Sequence, residues 1–180
     1  MPLVLIGPRG CGKSTVGRRL AREWDTPFID LDERIEHSAG RRIAEIFAAE
    51  GESGFRAREA TALSRALDHR RAVIATGGGM VVLEENRRLL VERAPVRVLL
   101  ECDAETLFRR VSEDPASAAT RPPLTPAGGG LEEMREILAR RTPLYLALAT
   151  HVVRAEGKPE EVAAGVMRAL TVEHDAASGG

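Results

Sequence analysis

Gly7-Pro8-Arg9-Gly10-Cys11-Gly12-Lys13-Ser14, with Thr15 behind it, satisfies the phosphate-loop pattern G-x-x-x-x-G-K-[ST] at every required position. Its flanks agree with it. Leu3-Val4-Leu5-Ile6 is a short apolar run of the kind a buried parallel strand makes. Beyond Lys13 the pattern turns helical, with Val16, Leu20 and Trp24 on one side and Arg18, Arg19, Arg22 and Glu23 elsewhere. In such a strand–loop–helix unit the glycines let the backbone curl, so that several N–H groups point at one anion, and the helix start adds partial positive charge. Gly10, Cys11, Gly12, Lys13, Ser14 and Thr15 are therefore the candidate phosphate-binding residues. Lys13 is expected to reach the outer phosphates of a nucleotide, and the Ser14 hydroxyl to ligate Mg²⁺. A glycine-rich turn without a ligand is the plain alternative, and the matching strand and helix argue against it.

Outward from the loop, strand-like and helix-like segments alternate. Phe28-Ile29-Asp30 reads as a second strand, followed by a helix starting near Glu33. Ile43, Ile46 and Phe47 fall at helical spacing within residues 41–50; Gly51 and Gly54 mark a loop, and Phe55 opens the next helix. Ala72-Val73-Ile74-Ala75 is a third strand, ending in Thr76-Gly77-Gly78-Gly79. Residues 84–92 form a short helix, 96–100 a fourth strand and 104–111 a helix. Residues 113–130 lack periodicity and are rich in Pro, Ala, Ser, Thr and Gly, the marks of a lid or binding loop. Residues 131–148 are helical with a break or kink near Pro143, 151–153 are a fifth strand, and Pro159 opens a helix reaching about Leu170. Residues 171–180 read as a polar, disordered tail.

This alternation predicts one α/β domain over residues 1–170, a parallel sheet covered by helices on both faces. A length of 180 residues with 43% apolar content is enough for one such core. The net charge of −1 gives no overall basic field for a nucleic acid, and no apolar stretch is long enough to span a bilayer. Cys11 and Cys102 have neither metal-ligand spacing nor the number for a disulfide framework, so a cytoplasmic protein is expected. Cys11 itself reads as a small filler of the loop.

Ligands of parallel sheets sit beyond the carboxyl ends of the strands. The phosphate loop, the Asp30/Asp32 pair and Gly77-Gly78-Gly79 all fall at such ends, so they are expected to converge on one cleft. In extended chain Asp30 and Asp32 would face the same side, one serving Mg²⁺ through water and the other an acceptor hydroxyl. Alternatively one of them, Asp32 in part, caps the helix that follows. The three glycines would let a polar ligand pack against main-chain N–H groups, or merely make a tight turn. Arginine matches carboxylate and phosphate in bidentate fashion. Spacing alone does not select among Arg56, Arg58, Arg121, Arg140 and Arg141.

Taken in order, these stretches resemble the shikimate kinases, nucleoside-monophosphate-kinase-like P-loop enzymes. The matches are the phosphate loop, Phe28-Ile29-Asp30-Leu31-Asp32, Gly51-Glu52, Phe55-Arg56, Glu59, Thr76-Gly77-Gly78-Gly79, Arg121-Pro122-Pro123-Leu124 and Arg141-Thr142-Pro143-Leu144-Tyr145. The resemblance implies a three-layer P-loop kinase fold with a five-stranded parallel sheet in the order 2-3-1-4-5 and a mobile lid at about residues 113–130. It implies transfer of phosphate from ATP to the 3-hydroxyl of shikimate, with Mg²⁺, in the pathway to aromatic amino acids. Lys13, Asp32 and Arg121 would be catalytic. Arg110 and Arg121 would join the phosphate loop at ATP. Asp32, Arg56, Gly77, Gly78, Gly79 and Arg141 would hold shikimate, and Ser14, with Asp30 through water, would hold the metal. A monomer without nucleic-acid or membrane partners is expected. A gluconate-type kinase and a non-catalytic nucleotide-binding regulator are the competing readings.

Overall fold

The computed structural model describes residues 1–114 and 130–177, the last six by their backbone alone. Residues 115–129, with Arg121 and most of the expected lid, lie outside the described residues.

Five strands form one parallel sheet in the order β2-β3-β1-β4-β5: β1 Leu3–Ile6, β2 Phe28–Asp30, β3 Val73–Ala75, β4 Val96–Glu101 and β5 His151–Arg154. The register aligns Leu3 with Val73 on one side and Val96 on the other, Phe28 with Val73, and Val98 with His151. β1 is central and buried on both faces, and its alternate side chains feed two separate cores. Leu3 and Leu5 pack with Val16 and Leu20 of α1 (Lys13–Glu23), Leu107 of α5 (Ala104–Glu113) and Val162 and Val166 of the final helix α7 (Pro159–Ala177). Val4 and Ile6 pack on the other face with Leu63 of α3 (Ile43–Ala66), Leu90 of α4 (Glu84–Arg93) and Tyr145 and Leu148 of α6 (Leu131–Leu148). The result is three layers, helices on both faces of the sheet. A smaller core joins α2 (Leu31–Ala39) to α3 through Ile35, Ile43, Ile46 and Phe55.

Several local expectations change. The strand ends at Asp30 and α2 begins at once with Leu31, so Asp30 and Asp32 do not share an extended segment. Asp30, not Asp32, is the cap: its carboxylate accepts from the backbone N–H of Asp32 and Glu33. Gly51 and Gly54 do not delimit a loop. The chain kinks at Gly51 alone (φ 69°, ψ −173°) and resumes its helix, with Phe47 and Phe55 stacked across the kink at 4.6 Å between ring centroids. Pro143 sits inside an unbroken α6, where it forfeits one backbone bond while Tyr145 and Leu148 anchor the following turn in the core. Finally, α7 runs to Ala177 rather than Leu170, since no Gly or Pro interrupts residues 171–177.

Among the described residues no helix is long and apolar enough to cross a membrane.

The backbone at Gly51 lies in a region essentially reserved for glycine, and nothing lies within 4 Å of a Cβ built there. Gly51→Ala should therefore destabilise through the backbone alone, by about 1–3 kcal/mol. Urea unfolding measures this directly; an unchanged midpoint would show that the kink is not enforced by the glycine.

Candidate active site

β2, β3 and β1 are neighbours in the sheet, so the segments leaving their carboxyl ends are neighbours too. A cleft of about 530 Å³ opens there, lined by the phosphate loop from Arg9 to Thr15, by Asp30 and Asp32, by Thr76 and Gly78, and by Arg110 on its far wall.

The phosphate loop begins where β1 leaves the core and ends where α1 starts. Gly12 caps α1 in the left-handed region at φ 94°, which turns the chain sharply enough for Lys13 to be the first helical residue. The Lys13 side chain folds back over the loop. Its Nζ donates to the carbonyls of Gly7 at 2.8 Å and Pro8 at 2.7 Å and lies 3.6 Å from Cys11 Sγ. Cys11 is buried in the first core beneath the loop, as a filler would be. The second thiol, Cys102, is pushed up to about 12 by burial.

Ser14 Oγ donates to Asp30 Oδ2 at 2.5 Å, while Asp30 Oδ1 accepts from the Asp32 N–H at 3.0 Å. Asp30 is thus doubly employed, as helix cap and as hydroxyl partner. The cap in turn starts α2 with its first turn over the cleft, which is how Asp32 comes to line it.

The glycine triplet is the shared wall. A Cβ on Gly77 would come 2.8 Å from Asp32 Oδ1 and 2.9 Å from Glu59 Oε1; one on Gly78 would come 2.9 Å from the Arg9 backbone N; one on Gly79 would come 2.5 Å from an Arg56 guanidinium nitrogen. Each glycine is thus pressed against a different part of the site, and no larger residue fits without displacing it.

Behind this wall lie Arg56 and Arg141. Arg56 is 8% exposed and donates to Glu59 Oε2 at 2.6 Å and to Glu52 Oε1 at 3.1 Å. Burial works to lower its pKa, but the two glutamates outweigh it and the guanidinium is raised above its ordinary value. Arg141 donates to the Gly78 carbonyl at 3.2 Å, and the Tyr145 hydroxyl donates to the same oxygen. Burial raises the Tyr145 phenol well above its usual range, so it stays a neutral donor. Arg56 and Arg141 therefore meet the triplet from outside the cleft that holds Lys13, whereas Asp32 and Gly78 belong to that cleft.

Arg110 donates to the carbonyls of Ala155 at 2.8 Å and Glu156 at 2.9 Å and reaches Gly10 O at 3.5 Å. It fastens the loop after β5 to the phosphate loop at the cleft edge. Glu59 and Tyr145 received no role from the sequence alone. The i, i+3 spacing of Arg56 and Glu59 on one helix was the available signal for the first. Nothing in the sequence connects Tyr145 to Gly78.

The oxygen pair Ser14 Oγ and Asp30 Oδ2 suits a hard divalent cation such as Mg²⁺. Another oxygen- and sulfur-bearing group, Cys102 with Asp103 and Glu156, lies within 4.8 Å of itself.

The family model for shikimate kinase matches residues 9–171. The chain is 42% identical over 170 residues to shikimate kinase 2 of Pectobacterium carotovorum, covering 94% of this chain and 95% of that protein. The shikimate kinase of Acinetobacter baumannii, solved in complex with shikimate, superposes with a TM-score of 0.88 at 32% identity, over 96% of this chain and 93% of that one. The enzyme from Aquifex aeolicus gives a TM-score of 0.82 at 32% identity, over 97% and 98%. With a phosphate loop and an acidic, glycine-walled cleft at the rim of a 2-3-1-4-5 sheet, and with relatives matched almost end to end, this chain belongs to the shikimate kinase family.

Proposed function

We infer that the cleft transfers the γ-phosphoryl group of ATP to the 3-hydroxyl of shikimate, giving shikimate 3-phosphate and ADP for aromatic amino-acid synthesis. The observation that carries this reading is the convergence of Asp32, Glu59, Arg56 and Arg141 on three successive glycines whose other side touches the phosphate loop.

The geometry supports the following division of labour, with the family resemblance supplying the ligand each residue would meet. The phosphate loop receives the nucleotide phosphates on its backbone N–H groups, and Lys13, now on the loop carbonyls, is near enough to turn outward to them. Ser14 and, through water, Asp30 would hold Mg²⁺, which supplies positive charge against the phosphate oxygens. Asp32, at the first turn of α2, orients the acceptor hydroxyl and takes its proton as the new P–O bond forms. Arg56 and Arg141 clamp the acceptor carboxylate, which accounts for selecting a small hydroxy-acid rather than a neutral sugar. The backbone of Gly77, Gly78 and Gly79 faces the ring hydroxyls. Arg110 contributes to the adenine end of the site, and the family resemblance gives Arg121 the task of steadying charge on the transferring group. A monomer belongs to the same proposal, and two free buried cysteines suit a reducing cytoplasm.

Coupled ADP release, measured with shikimate, quinate, gluconate and no acceptor, tests the assignment. Turnover is expected with shikimate. Turnover with gluconate alone would favour the competing kinase, and the absence of acceptor-dependent turnover a regulator.

In the same assay Asp32→Asn should lower kcat by about 10²–10⁴-fold with ATP affinity little changed. Full turnover would remove Asp32 from the chemistry. Arg141→Ala should act mainly on KM for shikimate, raising it by about tenfold or more, as expected for a lost charge-assisted contact. Arg141 is preferable to Arg56 for this purpose, because removing Arg56 breaks its ion pair with the fully buried Glu59 and costs about 3–5 kcal/mol of stability. An unchanged KM in Arg141→Ala would contradict the clamp.

A further inference from the structure

A second cleft, of about 610 Å³, lies between α2 and the second half of α3 and shares no lining residue with the cleft at the phosphate loop. Its charge is mostly arginine: Arg34 comes from α2 and Arg58 and Arg65 from α3, with His37 of α2 and His69 after α3 also in the lining. Positions 58, 62, 65 and 69 recur at three- and four-residue intervals, so the groups from α3 share one face.

The lining holds one acid, Glu50, and it is already taken. Arg58 grips it with two parallel bonds, Nε to Oε2 at 2.8 Å and Nη2 to Oε1 at 2.8 Å. Among the described residues Arg34 and Arg65 have no ion-pair or hydrogen-bond partner, whereas nearby Arg42 and Arg56 are paired with glutamates. Two guanidinium groups face one concavity with no protein anion to answer them. Ile29 and Ala66 are buried and, with Ala62, form the apolar part of the lining. A concavity with an apolar lining and a few charged groups is the form of a small-molecule site, and the volume is in the range such sites occupy.

We propose that this cleft binds a small organic anion, its carboxylate taken by Arg34 and Arg65 and its apolar, ring-like body resting on Ile29, Ala62 and Ala66. Charge alone would suit inorganic phosphate equally. The apolar part of the lining is what selects a carbon-bodied ligand, since burying apolar surface adds to the ionic contact.

Benzoate is the probe. It is titrated into the full-length protein with shikimate held at saturation, so that the carboxylate site at Arg56 and Arg141 is occupied, and the imidazole NMR signals of His37 and His69 are followed. Those signals should shift saturably while the His151 signals stay in place. In Arg34→Ala/Arg65→Ala the apparent Kd should rise by about tenfold or more, with phosphotransfer in the absence of benzoate within about twofold of the parent. Both arginines are exposed, so the double variant is expected to fold. Static His37 and His69 signals, an unchanged Kd in the double variant, or phosphate binding as tightly as benzoate would overturn the proposal.

Discussion

Three residues without side chains hold this site together. Gly77, Gly78 and Gly79 leave the carboxyl end of β3 and are pressed in turn against the Asp32 and Glu59 carboxylates, the phosphate-loop backbone and the Arg56 guanidinium. A methyl group at any of them would occupy space already filled by one of these groups. The thin wall lets phosphate-binding and acceptor-binding machinery come within contact distance while each rests on its own secondary structure. In-line phosphoryl transfer depends on that proximity more than on covalent chemistry, because its catalysis is mostly positioning and charge neutralisation.

The charges around the wall are arranged so that none of the crucial ones is left to water. Arg56 is buried but answered by Glu59 and Glu52; Arg141 and Tyr145 share the Gly78 carbonyl; Asp30 is divided between Ser14 and the start of α2. Such groups are held in place before any ligand arrives, so little reorganisation is left for the reaction itself. The Gly51 kink contributes from a distance. It lets one apolar seam, through Ile46 and Phe55, join α2 to both halves of α3, and thereby relates Asp32 on one helix to Arg56 and Glu59 on the other.

Much of this was legible in the residues before any coordinates. The phosphate loop is a complete local motif, and the five strands announced themselves as short apolar runs at regular intervals. The points that escaped depend on geometry which sequence spacing does not encode. Two carboxylates two residues apart look equivalent in an extended chain, but an immediate helix start makes Asp30 both the cap and the partner of Ser14, and sets Asp32 on the first turn of α2, both lining the cleft. A Gly-rich stretch at 51–54 reads as a loop, yet a single glycine dihedral is enough to bend a helix that the Phe47–Phe55 stack then holds. Pro143 predicts a break or a kink by local rules; the helix does not break there, and Tyr145 and Leu148 beyond it are buried. The order of strands came from family resemblance, since no pairing can be read from a run of hydrophobic residues alone. The roles of Glu59 and Tyr145 needed long-range packing to become visible, 67 residues separating Tyr145 from Gly78.

The most direct measurement is calorimetric binding of shikimate and of ATP to Gly79→Ala. The three atoms nearest a Cβ there all belong to the Arg56 guanidinium, the first at 2.5 Å. The thin-wall account predicts that shikimate affinity falls by about tenfold or more while ATP affinity stays within about twofold. Undiminished shikimate binding, or an equal loss for both ligands, would contradict it.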